Sequence, residues 1–136
     1  PPPSPQLKEK LGSKFSAFYV VNNPVDLTGS ACDSDYYIAL NACMIESDEY
    51  DAAIIIPLMA PQGMSEKVVD LITETMKRSG KPAVICTVGG AFTMKIKGLF
   101  EEREFPVYPS PERSARAMSM LLKRRVLQDG AVRSAI

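Results

Sequence analysis

The run Ala52-Ala53-Ile54-Ile55-Ile56 limits what this chain can fold into more than any other feature. It is β-branched and has no polar alternation, the pattern of a strand covered on both faces in a parallel sheet rather than half-exposed in an antiparallel one. A central strand is therefore expected here, extending to Leu58. Three other short apolar runs read as strands: Phe18 to Val21, Ala83 to Val88, and Phe105-Pro106-Val107-Tyr108, whose proline marks an edge. Each run ends in a loop of turn-forming residues: Asn23-Pro24-Val25-Asp26-Leu27-Thr28-Gly29-Ser30, Pro61-Gln62-Gly63-Met64-Ser65, Gly89-Gly90 and Ser110-Pro111-Glu112. Open α/β sheets bind ligands at such strand-end loops.

Between the strands the apolar spacing becomes helical. Leu7, Leu11 and Phe15 lie four apart behind Ser4 and Pro5, predicting a short helix capped by Ser4 that ends near Gly12 or Ser13. Tyr36, Ala39, Leu40, Cys43 and Met44 make the stripe of a second helix, with Asp33 and Asp35 at its positive end. Val68, Val69, Ile72 and Met76 predict a third, closed by Gly80 in the left-handed conformation, with Lys77 and Arg78 at its negative end. A fourth should carry Phe92, Ile96, Leu99 and Phe100, although Gly98 costs it up to about 1 kcal/mol against alanine. The last, opened by Ser110 and Pro111, should turn Ala115, Met118, Leu121 and Leu122 inward and leave Arg116, Lys123, Arg124 and Arg125 in solvent. Helices joining successive strands require crossovers and a parallel sheet covered on both sides. The expected fold is α/β, a flavodoxin-like three-layer parallel sheet.

Composition bounds the function. With 136 residues and 46% hydrophobic content, the chain suits one domain that buries roughly two-thirds of its unfolded surface. The expected division is residues 1–5 as a linker or cut end, 6–127 as the domain and 128–136 as a C-terminal tail. Sixteen basic residues balance sixteen acidic ones, so no global field steers the chain to nucleic acid or to a membrane surface. Cys32, Cys43 and Cys86 have no CxxC spacing, and there is no histidine. No metal site and no activated cysteine nucleophile is expected, and a cytoplasmic location with reduced thiols is the simplest reading. No apolar run reaches the roughly 20 residues of a membrane span.

The order of motifs resembles one particular family. Asn23-Pro24-Val25-Asp26-Leu27-Thr28-Gly29, a helix with Tyr37 and Ala39-Leu40, Tyr50-Asp51-Ala52-Ala53-Ile54, Gly80-Lys81-Pro82, Gly89-Gly90, Phe105-Pro106-Val107-Tyr108 and Pro111-Glu112-Arg113 resemble, in that order, one domain of the NDP-forming acyl-CoA synthetases. These include ADP-forming acetyl-CoA synthetases and succinyl-CoA synthetase. The resemblance runs from about Ser4 to Arg125 and points to the second flavodoxin-like CoA-ligase domain. In such enzymes a CoA-binding Rossmann domain, a phosphohistidine-bearing ligase domain and an ATP-grasp complete the machinery. An acyl-CoA, phosphate and a nucleoside diphosphate give acid, CoA and a nucleoside triphosphate.

The resemblance implies that CoA, ADP or ATP and magnesium engage the complete enzyme rather than this chain, which is not expected to be active alone. Its partners would be the other synthetase domains, in an oligomeric assembly. It also implies that the helix introduced by Gln62, Gly63, Met64 and Ser65 points its amino end at a phosphohistidine donated by another domain. Elementary electrostatics agrees, since exposed amides and a helix amino end hold about half a positive charge. Gly63 allows close backbone approach, Ser65 adds a donor, and Glu66 opposes an anion there. Structural turns and caps are the competing explanation for the same residues. Asn23, Asp26, Thr28 and Gly29, with Gly89 and Gly90, are candidate interface loops; Asp26 and Thr28 should order their turn through side-chain to backbone bonds.

The family pattern places a further strand, glycine turn and helix ahead of Pro1, with that strand in the middle of the sheet. The fold is thus expected to lack its first strand and helix within this chain, the gap being filled by the rest of the protein, a partner or a swapped copy. Two other functions compete. One is a ligand-sensing regulatory domain of a synthetase-like protein fused to an acetyltransferase. The other, a flavin or receiver domain, lacks a Ser/Thr-rich loop after the first strand, a tryptophan and an acidic cluster.

Overall fold

The apolar runs Ala53–Ile55, Ala83–Cys86 and Val107–Tyr108 form strands β1, β2 and β3, in that spatial order and all parallel. The computed structural model describes residues 1–60 and 62–133, with residues 126–133 as backbone only. Ala53, Ile54 and Ile55 pair with Ala83, Val84 and Ile85, and Ile85 and Cys86 pair with Val107 and Tyr108. The proline-bearing run is an edge strand, as its missing amide requires.

Five helices surround the sheet: α1 Pro5–Gly12, α2 Asp33–Leu40, α3 Lys67–Ser79, α4 Ala91–Glu102 and α5 Pro111–Arg133. The Ser4 hydroxyl accepts from the Leu7 amide and caps α1, whose Leu7 and Leu11 are buried. A π-helical segment, Asn41–Ile45, prolongs α2 and buries Ala42, Cys43 and Met44. Gly80 closes α3 at φ 64°, which a residue without Cβ adopts freely. The stretch 1–5, read from its prolines as a linker or cut end, lies against the fold, for Pro3 is buried and the Ser4 N–H and O–H both donate to Glu49. At the other end α5 runs to Arg133, and residues 134–136 lie outside the described ones.

The two sheet faces pack differently. Ile55 and Ile85 join one core with Leu40, Met44, Val68, Val69, Ile72, Met76, Ile96 and Phe100. Each fully buried aliphatic side chain there contributes roughly 1.5–3 kcal/mol. Val84 and Cys86, pointing the other way, are sealed at 0% exposure in β2, the strand most in contact with α5. On that same side of the sheet Ile54 of β1 stays 42% exposed.

Four expectations are corrected. Phe18 to Val21 forms no sheet strand: Val20 makes only an isolated antiparallel bridge to Asp26, and Phe18 is 80% exposed. An apolar run makes a ladder only where a partner edge is present, and β1 lies on the far side of a gap. Ala52 to Leu58 is likewise not central among the described residues, since β1 is the outer strand and Ile56 and Leu58 are exposed. In α5 the inward stripe is Ser114 and Met118 with Leu122 half-buried, while Ala115 and Leu121 face solvent. The buried Ser114 hydroxyl is satisfied within the helix by donating to the Ser110 carbonyl, so this small polar side chain can face inward at little cost. Phe92, expected in the α4 stripe, is exposed in the first turn, ahead of the buried Ile96 and Phe100.

Candidate functional site at the strand ends

Parallel strands gather their following loops at one end of the sheet, so the residues after β1 and β2 share a rim with the amino ends of α3 and α4. Loop 62–66 is fixed there by the start of α2. The Asp33 carboxylate accepts from the Ser65 amide (2.8 Å) and from the Ser65 hydroxyl, and the Asp33 amide donates to the Gly63 carbonyl at 3.2 Å. Gly63 packs so tightly that an added Cβ would lie 2.7 Å from the Cβ of Cys32 and 3.2 Å from the Ala31 carbonyl oxygen. Close approach, rather than an unusual dihedral, is what requires glycine.

The four residues expected at the phosphate are therefore not equivalent. Gln62 is exposed, whereas the Met64 side chain is buried and can offer a ligand only its backbone. The Ser65 amide and hydroxyl already have Asp33 as partner, and the Ser65 oxygen accepts from the Lys67 amide at 3.2 Å. The amides of Gly63 and Met64 have no hydrogen-bond partner among the described residues. Glu66 pairs with Lys95 of α4 (2.5 Å), which partly neutralises the carboxylate that opposes an anion. Arg103, which follows α4, bonds Asp70 in the first turn of α3 through Nε at 2.8 Å and Nη2 at 2.6 Å.

The segment Asn23 to Gly29 is ordered as its side chains suggest. Asp26 Oδ1 accepts from the Thr28 amide at 2.8 Å, and Thr28 Oγ1 accepts from the Ser30 amide at 3.4 Å. Thr28 takes φ 55°, Leu27 is buried, and the Asn23–Pro24 peptide is cis. The segment leads through Ala31 and Cys32 to Asp33, so it is brought against Gly63–Ser65. Asp35, three residues into α2, accepts from the Cys32 amide and from the Tyr19 hydroxyl, each at 2.8 Å. Gly89, at φ 143°, and Gly90 open α4 with no side-chain cap. Among the described residues, the Lys95–Glu66 pair is the hydrogen-bonded tie between α4 and the 62–66 loop.

Two elements of the rim escaped sequence reasoning. Asp33 was read as complementing the α2 dipole, but its carboxylate reaches Ser65, 32 residues on. The Tyr36 hydroxyl donates to the Ile56 carbonyl and accepts from the Leu58 amide, tying off the end of β1. Only the spacing of Tyr36 on the apolar stripe hinted at burial. Burial pushes the Cys43 thiol up to about 11, and Cys86 is fully buried, whereas Cys32 is half-buried with its sulfur against Ser34 and Asp35. Among the described residues no group of three His, Cys, Asp or Glu side chains could hold a metal, and no helix is long and apolar enough to cross a membrane.

A parallel sheet flanked by helices, with glycine-bearing loops and two helix amino ends along one rim, defines a flavodoxin-like domain of the kind found in CoA ligases. No family model matches the chain. It is 31% identical over 104 residues to the acetate–CoA ligase [ADP-forming] I subunit alpha of Pyrococcus furiosus, covering 74% of this chain and 22% of that protein. It is 29% identical over 129 residues to the corresponding II subunit alpha of the same organism, covering 91% and 28%. The dinucleotide-forming acetyl-coenzyme A synthetase 1 of Ca. Korarchaeum cryptofilum superposes with a TM-score of 0.77 at 27% identity, over 89% of this chain and 27% of that one. The chain belongs to the NDP-forming acyl-CoA synthetase family, and it spans about a quarter of the length of the relatives it matches.

Proposed function

We propose that this domain serves an acid–CoA ligase (NDP-forming), converting acyl-CoA, phosphate and ADP to acid, CoA and ATP in the cytoplasm. Its task is electrostatic. The Gly63 and Met64 amides at the α3 amino end face a phosphohistidine carried by another domain, since this chain has no histidine. CoA, nucleotide and magnesium engage the remaining domains. Asp33 and Ser65 act as positioning residues that hold the 62–66 loop in register, rather than as phosphate ligands.

The observation that carries this reading is the pair of amides unpartnered among the described residues, beside a helix start whose nearby carboxylates are each engaged: Glu66 with Lys95, Asp70 with Arg103 and Asp33 with Ser65. It is supported by the family and by a solved relative described as a complex with phosphate and ADP. The test uses the intact protein: ATP formation that depends on acyl-CoA, phosphate and ADP is measured for wild type and Gly63→Val. The proposal expects activity in the wild type and its loss in the variant. Absence of phosphate-dependent ATP formation in the folded wild type would refute the ligase assignment. An active Gly63→Val enzyme would refute the role of the loop.

A further inference from the structure

An exposed helix face normally mixes charges of both signs, because like charges three or four residues apart repel and opposite ones support the helix. Lys10 of α1 pairs in this way with Glu46, and Lys95 and Lys97 of α4 pair with Glu66 and Glu101. On α3, Asp70 and Glu74 are interspersed among Lys67, Lys77 and Arg78. The outer face of α5 departs from this. Its residues 111–125 carry Arg113, Arg116, Lys123, Arg124 and Arg125, all exposed, against the single carboxylate of Glu112. Among the described residues none of these cations enters an ion pair.

Their placement is ordered. Ser114 and Met118 are buried, and a turn of about 100° per residue sets Arg113, Arg116, Met120, Lys123 and Arg124 within an arc of roughly 100° on the opposite face. Met120, 73% exposed, lies between Arg113 and Arg116 on one side and Lys123 and Arg124 on the other. Arg113 and Arg124 are roughly 16 Å apart along the axis, at about 1.5 Å per residue. Beside them Arg124 and Lys81 line a cleft of about 470 Å³ with Leu121 and Pro82. The make-up of the face selects its occupant. Arginine forks hold carboxylates at two points, and an exposed methionine among arginines is the composition of a protein interface. Residues 111–125 contain no aromatic side chain to stack a base and expose too little apolar surface to enter a bilayer. Zero net charge gives the chain no long-range pull on a polyanion.

We propose that the outer face of α5 is a docking surface for an acidic polypeptide, which presents carboxylates to Arg113, Arg116, Lys123 and Arg124 and seats Met120 in an apolar notch between them. To reach both ends of the stripe the partner element must be at least about 16 Å long, or roughly three helical turns. The surface lies across the sheet from α3 and its 62–66 loop, and the proposal does not rest on the ligase reading.

Fluorescence anisotropy of the intact protein with labelled poly-L-glutamate and with a labelled glutamate–tyrosine copolymer tests it, at about 0.1 M salt, where exposed charges act over roughly 10 Å. The expected result is binding of both probes, tighter for the copolymer, and weakened about tenfold or more when Arg116→Glu and Lys123→Glu are combined. The same charge change on α1, Lys8→Glu with Lys14→Glu, should weaken either probe less than about twofold. Met120→Ser should remove the advantage of the copolymer. Failure of the wild type to bind, an equal loss in the α1 variant, or a copolymer advantage that survives Met120→Ser overturns the proposal. Tighter binding of duplex DNA or of phosphatidylserine vesicles than of either glutamate probe also overturns it, because the occupant would then be a nucleic acid or a membrane.

Discussion

The centre of the sheet and its β1 edge are built to different standards. Around β2, Val84, Ile85, Cys86, Ile96 and Phe100 are all at 0% exposure, and α3 adds Val68, Val69 and Ile72 at the same level. Around β1, Ile54, Ile56, Val20 and Phe18 are between 42% and 80% exposed although equally apolar. Residue type therefore does not distinguish the two. The difference is coverage: β2 has a strand on each side and helices on both faces, whereas β1 has an open edge and one half-bare face.

The largest effect that sharpens this contrast lies at the packed centre. Phe100→Ala should cost about 3–5 kcal/mol, measured by denaturant unfolding of the intact protein. Ile54→Ala breaks or supports the comparison directly. It should cost about 2–5 kcal/mol where a strand covers the edge, but under about 1 kcal/mol if the residue stays as exposed as it is at the open edge.

At the rim, Gly63→Ala must push a methyl into Cys32 and the Ala31 carbonyl, which should cost about 1–3 kcal/mol by the same measurement. Asp33→Ala removes the acceptor from the Ser65 amide and hydroxyl and should cost about 1–3 kcal/mol. Its readout beyond stability is a raised KM for phosphate as the loop loosens, with the acyl-CoA KM unchanged.

The smallest effect is in acid. Hydrogen bonding and charge from Lys10 hold the Glu46 carboxyl below the ordinary range, and hydrogen bonds from Ser4 do the same for Glu49. A depressed folded-state pKa gives stability that is present above the ordinary carboxylate range and lost as pH falls through the folded value. Unfolding midpoints should therefore fall below about pH 4.5, with a shallower decline in Glu49→Gln. The step should be small, because both carboxylates are open to solvent, which screens their interactions.

Legibility in the sequence followed the range of the interactions. The helices α1, α2 and α3 could be read from stripes, caps and the Gly80 stop because those signals act within a few residues. The strand cores of β1 and β2 could be read from β-branching. Phe18 to Val21 could not, since whether an apolar run becomes a strand depends on a partner edge elsewhere. The phase of α5 was missed because Ser114 is buried although polar, its hydroxyl being satisfied one turn back by Ser110, and an apolar pattern does not count a serine as inward. At the rim, the loop positions and the turn bonds of Asp26 and Thr28 were legible, whereas the Asp33–Ser65 contact joins residues that only the fold brings together.

The account centres on the Gly63 and Met64 amides as the contact for a phosphoryl group. The most direct measurement is a crystal structure of the intact protein grown with phosphate. The account predicts an anion within about 3 Å of both amides, near a histidine from another domain, with Asp33 still bonded to Ser65. An anion bound at the histidine but away from the α3 amino end would contradict it.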